Sequence, residues 1–169
     1  MSKIKIVILI IIIILLVAIG LSLKKDSPQV ESIIPVEQRE EYLKNSLIIA
    51  INDEYKARAT YKKVIEKFGE VKPFTNIIKA EEKHIKSLEA LFEKYNFDVP
   101  QDEWYSQVEV SETLKEMCAT GVQAEIANAD LYRKILIPAT TAYPDVTKVF
   151  EKLMSASEDN HLPAFEKCS

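Results

Sequence analysis

The sequence predicts an all-α domain, an antiparallel four-helix bundle behind an apolar N-terminal segment, and three observations carry that reading. Four stretches repeat apolar residues at the helical period. Strand signals are weak and confined to residues 97–110. Each helical stripe also holds a glutamate in its middle rather than on the opposite, polar side: Glu54, Glu81, Glu125 and Glu158. Four amphipathic helices bury such stripes most economically against one another.

The chain opens with Lys3 and Lys5, then runs from Ile6 to Leu23 without a charge and closes on Lys24 and Lys25. As a helix that run rises about 27 Å, near the ~30 Å thickness of a bilayer's hydrocarbon core. Residues 1–25 therefore read as a transmembrane anchor through residues 6–23, or as a signal segment cleaved after Ala18-Ile19-Gly20. The lysine flanks place the N-terminus in the cytoplasm. Both readings put the domain outside the cytoplasm, held at the cell membrane or secreted. Residues 26–36, with Pro28 and Pro35, read as a linker, and residues 37–169 as one domain.

The formal net charge of the chain is −4. Residues 1–26 contribute four lysines and one aspartate, so the remainder carries 18 basic against 25 acidic residues, a balance of −7. That argues against nucleic acid or an anionic membrane surface as a partner and favours cations.

The first helix is expected over Val36–Phe68, with Leu43, Leu47, Ala50, Ile51, Tyr61, Val64, Ile65 and Phe68 in its stripe and Gly69 as its stop. The second begins near Phe74, after Pro73, and runs to about Tyr95 with Ile77, Glu81, His84, Leu88, Leu91 and Phe92 inward. The third, with Ser111 as N-cap, aligns Leu114, Cys118, Gly121, Glu125, Asn128, Tyr132 and Ile135 and ends before Pro138. The fourth starts at Pro144 and aligns Val146, Phe150, Leu153, Met154, Ser157, Glu158, His161, Phe165 and Cys168, with a kink at Pro163 just past the histidine.

The only two histidines each stand three residues after a glutamate, as Glu81-x-x-His84 and Glu158-x-x-His161. Residues i and i+3 share a helix face, so a carboxylate and an imidazole so spaced can converge on one cation. Four carboxylates inside a bundle cost several kcal/mol each unless compensated, and two divalent cations supply that charge. The halves also repeat: Glu54 precedes Tyr61 by seven residues as Glu125 precedes Tyr132, and each glutamate is followed by one Glu-x-x-His pair. Without a metal, Arg58, Arg133 or lysines would have to pair the carboxylates, Arg58 first because it stands four after Glu54.

At these residues the sequence resembles the ferritin-like superfamily of di-iron carboxylate proteins, whose pattern is one glutamate from each of two helices and Glu-x-x-His from the other two. The stretches DEYKARATY, AEEKHIKSLEALF, GVQAEIANADLY and SASEDNHLPAFEKC are similar to a group of ferritin-like domains of unknown function. The resemblance implies a metal set of Glu54, Glu81, His84, Glu125, Glu158 and His161 around two iron ions, with manganese or a mixed pair as alternatives. It implies an up, down, down, up order of helices with a crossover between the second and third. That crossover must climb ~39 Å, and residues 97–110 reach ~46–50 Å when extended. Trp104 is expected to pin it. The implied activity is oxidoreduction of peroxide or dioxygen with electrons from an external donor; the alternatives are an iron-binding, ferroxidase-type handler and a structural bundle with an idle site. Tyr61 and Tyr132 read as core aromatics, and alternatively as redox or ligand-supporting tyrosines. A homodimer is compatible with this reading. The chain departs from rubrerythrins in lacking a C-x-x-C electron-donor module, and Asn128 stands where some of those sites carry an extra carboxylate.

Cys118 precedes Glu125 by seven residues and Cys168 follows His161 by seven. With the last two helices antiparallel, both thiols sit on the same side of the metal level, ~10.5 Å and ~12.8 Å from it. A Cys118–Cys168 disulfide fits those heights and an exported domain; two buried free thiols are the other reading.

Overall fold

Helix α1 spans Val36–Phe68, and its stripe of Leu43, Leu47, Ala50, Ile51, Tyr61 and Val64 is buried as its period requires. The computed structural model describes residues 36–168; residues 1–25, where the membrane or signal segment is expected, and all of the linker but Val36 lie outside that range. Among the described residues no helix is long and apolar enough to cross a membrane. Gly69 ends α1 at φ 85°, in the left-handed region where a side chain is strained.

Helix α2 spans Phe74–Lys94 and ends in a Schellman motif. The Phe97 N–H donates to Phe92 O (2.9 Å) and Asn96 N–H to Glu93 O (3.1 Å), with Asn96 at φ 54°. The crossover then runs back along α1. Lys44 lies over the Phe97 ring (5.9 Å), Trp104 Nε1 donates to Asn52 Oδ1 (2.9 Å), Lys63 donates to Val108 O (2.7 Å), and Lys67 to Ser111 O (3.1 Å). Trp104, in a 3-10 turn at Trp104–Ser106, thus pins the connection as expected. Arg58 also serves it, pairing with Asp102 (2.6 Å) and not with Glu54.

Helix α3 starts at Leu114 under a capping box in which Thr113, not Ser111, is the N-cap. Glu116 N–H donates to Thr113 Oγ1, and the Thr113 N–H donates back to Glu116. It runs over Leu114–Leu131, passes through a π turn at Tyr132–Leu136 and continues over Ile137–Ala139. Helix α4 runs over Pro144–Ala156, a π turn at Ser157–His161, and Leu162–Glu166.

Both π turns precede a proline, Pro138 or Pro163, and the helix continues through each, over Ile137–Ala139 and Leu162–Glu166, instead of ending before it. A proline lacks the N–H for the i−4 carbonyl and its ring collides with that carbonyl; the wider i→i+5 turn relieves both. The extra residue also changes which side chains face the core. Leu136 is fully buried while Ile135, expected inward, is 56% exposed.

Side-chain partners give the helix directions. Tyr61 meets Phe74 while His84 meets Glu54, so α1 and α2 are antiparallel. Tyr95 meets Tyr143 while Phe74 meets Phe165, so α2 and α4 are antiparallel. Cys118 is disulfide-bonded to Cys168 while Tyr132 meets Phe150, so α3 and α4 are antiparallel. Among the described residues the fold is four helices without a strand. Two apolar clusters result, one built on Leu43, Leu47, Ile51, Leu88, Phe92 and Phe150, the other on Tyr61, Val64, Phe74, Ile77, Met117 and Phe165. At the second, a Cβ on Gly121 would lie 2.6 Å from the Phe165 ring, so only glycine lets α3 and α4 approach there.

Candidate metal centre

Between the two apolar clusters lies a buried polar layer. Glu54 of α1, Glu81 of α2, Glu125 of α3 and His161 of α4 are each under 5% exposed, and His84 of α2 completes the group. Ligand atoms form two triads, Glu54–Glu81–His84 and Glu81–Glu125–His161, each with its atoms within 4.8 Å of one another. Glu81 belongs to both: its Oε2 accepts from His84 Nδ1 (2.9 Å) and its Oε1 lies 3.4 Å from His161 Nδ1. The imidazole rings stack with centroids 5.6 Å apart.

Five of the six expected ligands are therefore brought together. Glu158 is not: its carboxylate accepts from Arg133 at the protein surface. The reason is the π turn. At about 4.4 residues per turn, against 3.6 in an α-helix, residues three apart diverge and residues four apart nearly align. Ser157 thus takes the inward place below His161, and both are buried. The first Glu-x-x-His pair lies in unbroken α-helix and keeps its convergence.

The tyrosines seven residues after Glu54 and Glu125 exchange partners across the bundle. Tyr61 Oη donates to Glu125 Oε1 (2.8 Å) and Tyr132 Oη donates to Glu54 Oε1 (3.0 Å). The reciprocal pattern requires antiparallel α1 and α3 and makes the sequence repeat a local two-fold relation. Burial first, then the facing carboxylates, push both phenols well above their ordinary range, so they remain donors.

The electrostatics of the layer are those of crowded carboxylates. Burial raises Glu81 well above the usual carboxylate range, with the charge of Glu54 adding to it. Burial acts upward on Glu54 as well, but hydrogen bonds from His84 and Glu81 outweigh it and leave Glu54 lowered. Burial opposes the charged form of His84, yet hydrogen bonds to Glu54 and Glu81 and their charges lift it to about 10.

One buried atom of the layer lacks a hydrogen-bond partner. That atom is His161 Nδ1, although it lies 3.4 Å from both Glu81 and Glu125. A buried imidazole nitrogen facing two carboxylates without hydrogen-bond geometry to either is an arrangement that a bound cation would satisfy, and nitrogen and carboxylate donors suit a first-row transition metal.

Beside the triads is a cavity of about 20 Å³, enough for a water-sized guest, lined by Glu54, Glu81 and Glu125 and by Asp53, Asn128 and Ser157. The last three form a chain in which Ser157 Oγ donates to Asn128 Oδ1 (2.7 Å) and Asn128 Nδ2 donates to Asp53 Oδ2 (2.5 Å). Burial raises Asp53 above the ordinary aspartate value, partly offset by the Asn128 hydrogen bond. Sequence reasoning singled out Asn128 but missed Asp53; its position beside Glu54 at the edge of the stripe was the available signal.

Near the second apolar cluster, Cys118 and Cys168 form a disulfide with Cα atoms 5.6 Å apart, as their matched heights predict.

Comparison with known proteins supplies a family and a fold. The profile of an uncharacterized protein domain, DUF2202, matches residues 44–168. A crystal structure of the hypothetical protein MJ0754 from Methanococcus jannaschii is similar at a TM-score of 0.65 and 25% identity, covering 87% of this chain and 84% of that one. No curated protein matches the sequence.

Proposed function

The chain belongs to the DUF2202 domain family, and from that premise we propose that it is a ferritin-like dinuclear metal protein, with iron as the metal and peroxide or dioxygen as the substrate of an oxidoreductase reaction. The observation that carries the reading is the unpartnered, buried His161 Nδ1 opposite Glu81 and Glu125, with Glu81 shared by the neighbouring Glu54–His84 group. Glu54 and His84 would hold one ion, Glu125 and His161 the other, and Glu81 would lie between them. When bound, such a pair of ions supplies reversible valence change.

The chain's own residues do the rest. Tyr61 and Tyr132 each fix one carboxylate oxygen of Glu125 and Glu54, so that the other faces the imidazoles, Glu125 Oε2 toward His161 and Glu54 Oε2 toward His84. The two apolar clusters exclude bulk water above and below the layer. The small cavity admits an oxidant of water size and excludes an organic one. Electrons come from an external donor. We place the domain outside the cytoplasm, where its disulfide is at home, tethered through residues 6–23 or released by cleavage.

The test begins with full-length protein stripped of metal and titrated with Fe(II) under anaerobic conditions. About two ions should bind per chain, and added hydrogen peroxide should then produce ferric absorption. Fewer than about one ion per chain, unchanged in a Glu125→Ala/His161→Ala double variant, overturns the metal centre. Sustained peroxide loss with an added reductant supports the oxidoreductase, whereas a single stoichiometric burst points to an iron-handling protein.

A further inference from the structure

The local two-fold relation between α1 and α3 is broken at one place, and the break opens the site. Asp53 and Ala57 stand one before and three after Glu54; Ala124 and Asn128 stand one before and three after Glu125. In the antiparallel register that pairs Glu54 with Tyr132 and Tyr61 with Glu125, Asp53 faces Asn128, and Ala57 takes the equivalent place opposite Ala124. One end of the seam is closed by a hydrogen-bonded polar pair. The other is closed only by two methyl groups. Both pairs line the cavity that also reaches Glu54, Glu81 and Glu125. Ala124 is exposed and Asp53, Ala57 and Asn128 are half-buried, so this rim meets the surface.

We propose that the seam between α1 and α3 at Ala57 and Ala124 is the portal through which divalent cations reach the centre, with Asp53 as the first carboxylate to hold them. The portal rests on the proposed metal centre. Four features support a cation as the occupant. The inner wall is made of Glu54, Glu81 and Glu125, whose carboxyl oxygens are donors for a cation and offer nothing to an anion. Asp53 lines the cavity and its Oδ2 is engaged by Asn128, while no second hydrogen bond among the described residues reaches that carboxylate. The space admits a guest of water size, so an ion must shed part of its hydration shell, and a wall carboxylate replaces the lost water. Finally, the unpartnered His161 Nδ1 faces Glu81 and Glu125, both of them walls of this cavity, which gives the path a destination. The Asn128–Ser157 hydrogen bond keeps Asp53 on the rim by anchoring its partner to α4.

The test reads the rate of metal uptake, not turnover. Metal-free full-length protein is mixed with excess Co(II) in a stopped-flow instrument and visible absorbance is followed; equilibrium Co(II) content is measured separately. Ala124→Leu should slow uptake about tenfold or more and Asp53→Asn several-fold, with the final content unchanged. Ala127→Leu, also exposed on α3 but outside the cavity, should leave the rate as it is. Uptake by both Ala124→Leu and Asp53→Asn within about twofold of the parent, at full final content, overturns the portal while leaving the metal centre intact. Slowing by Ala127→Leu equal to that by Ala124→Leu overturns it as well. Loss of Co(II) binding by the parent protein itself overturns instead the reading on which the portal rests.

Discussion

The two halves of the site start from the same sequence pattern and end in different geometry. In the first, Glu81 and His84 lie in unbroken α-helix and both face the centre. In the second, the π turn at Ser157–His161 keeps His161 inward, sends Glu158 to Arg133 and puts Ser157 in its place. Glu81 therefore serves both halves. A repeat in sequence fixes residue types and spacing along the chain, whereas the angle between neighbours depends on the turn that carries them.

The sharpest way to break the contrast is at the shared carboxylate. Glu81→Ala should lower bound metal to under about one ion per chain, whereas His84→Ala and His161→Ala should each remove about one of two; elemental analysis after dialysis checks all three. Equal losses from all three variants would mean that Glu81 is not shared.

Next in size is the disulfide, which belongs to the second half alone. Cys118 and Cys168 close a loop of 50 residues, for which chain-entropy arguments give about 4 kcal/mol. Cys118→Ser/Cys168→Ser should lower the urea midpoint accordingly, and hydrogen exchange should rise in α3 and α4 before α1 and α2.

Protons sharpen the first half. At pH 7 the metal-free protein holds a proton on His84, whose pKa is about 10, and a ligand must release it. Calorimetry in buffers of different ionisation enthalpy should therefore show release of at least about one proton as the first half fills, and affinity should rise with pH. In the metal-free protein the same group is raised above its ordinary 6.5. Its stabilising contribution is full below that value and is lost as pH climbs through about 10, so urea stability should decline across that window from this source.

The smallest effect expected is at Glu158. Replacing it by glutamine removes a half-exposed pair with Arg133, worth a few tenths of a kcal/mol. Metal content should stay within experimental error of the parent. A loss of one ion would show that Glu158 turns inward when metal binds and would erase the difference between the halves.

Much of this was legible in the chain. The helical stripes located all four helices, and Glu54, Glu81, Glu125, His84 and His161 were identified from spacing and their place inside those stripes. The matched offsets of Cys118 and Cys168 indicated the disulfide, whereas Tyr61 and Tyr132 read first as core aromatics, and only their alternative reading, as ligand-supporting tyrosines, anticipates the exchanged hydrogen bonds. The capping box at Thr113 and Glu116 was also readable, since threonine followed three residues later by glutamate is its signature, but Ser111 was the expected cap.

What the sequence determined by itself is which faces are apolar and which chemistry lies among them, because burial of a stripe follows directly from its period. The tertiary structure alone decided how that chemistry is shared. Helix turns next to Pro138 and Pro163 widened instead of ending, which exchanged Ile135 for Leu136 and Glu158 for Ser157 on the inward face. Whether a helix breaks, kinks or widens at a proline depends on what neighbouring helices gain by packing against the continued segment, here Phe165 against Gly121, Tyr61 and Phe74. That gain is set by contacts far apart in the chain, so local period alone does not encode it.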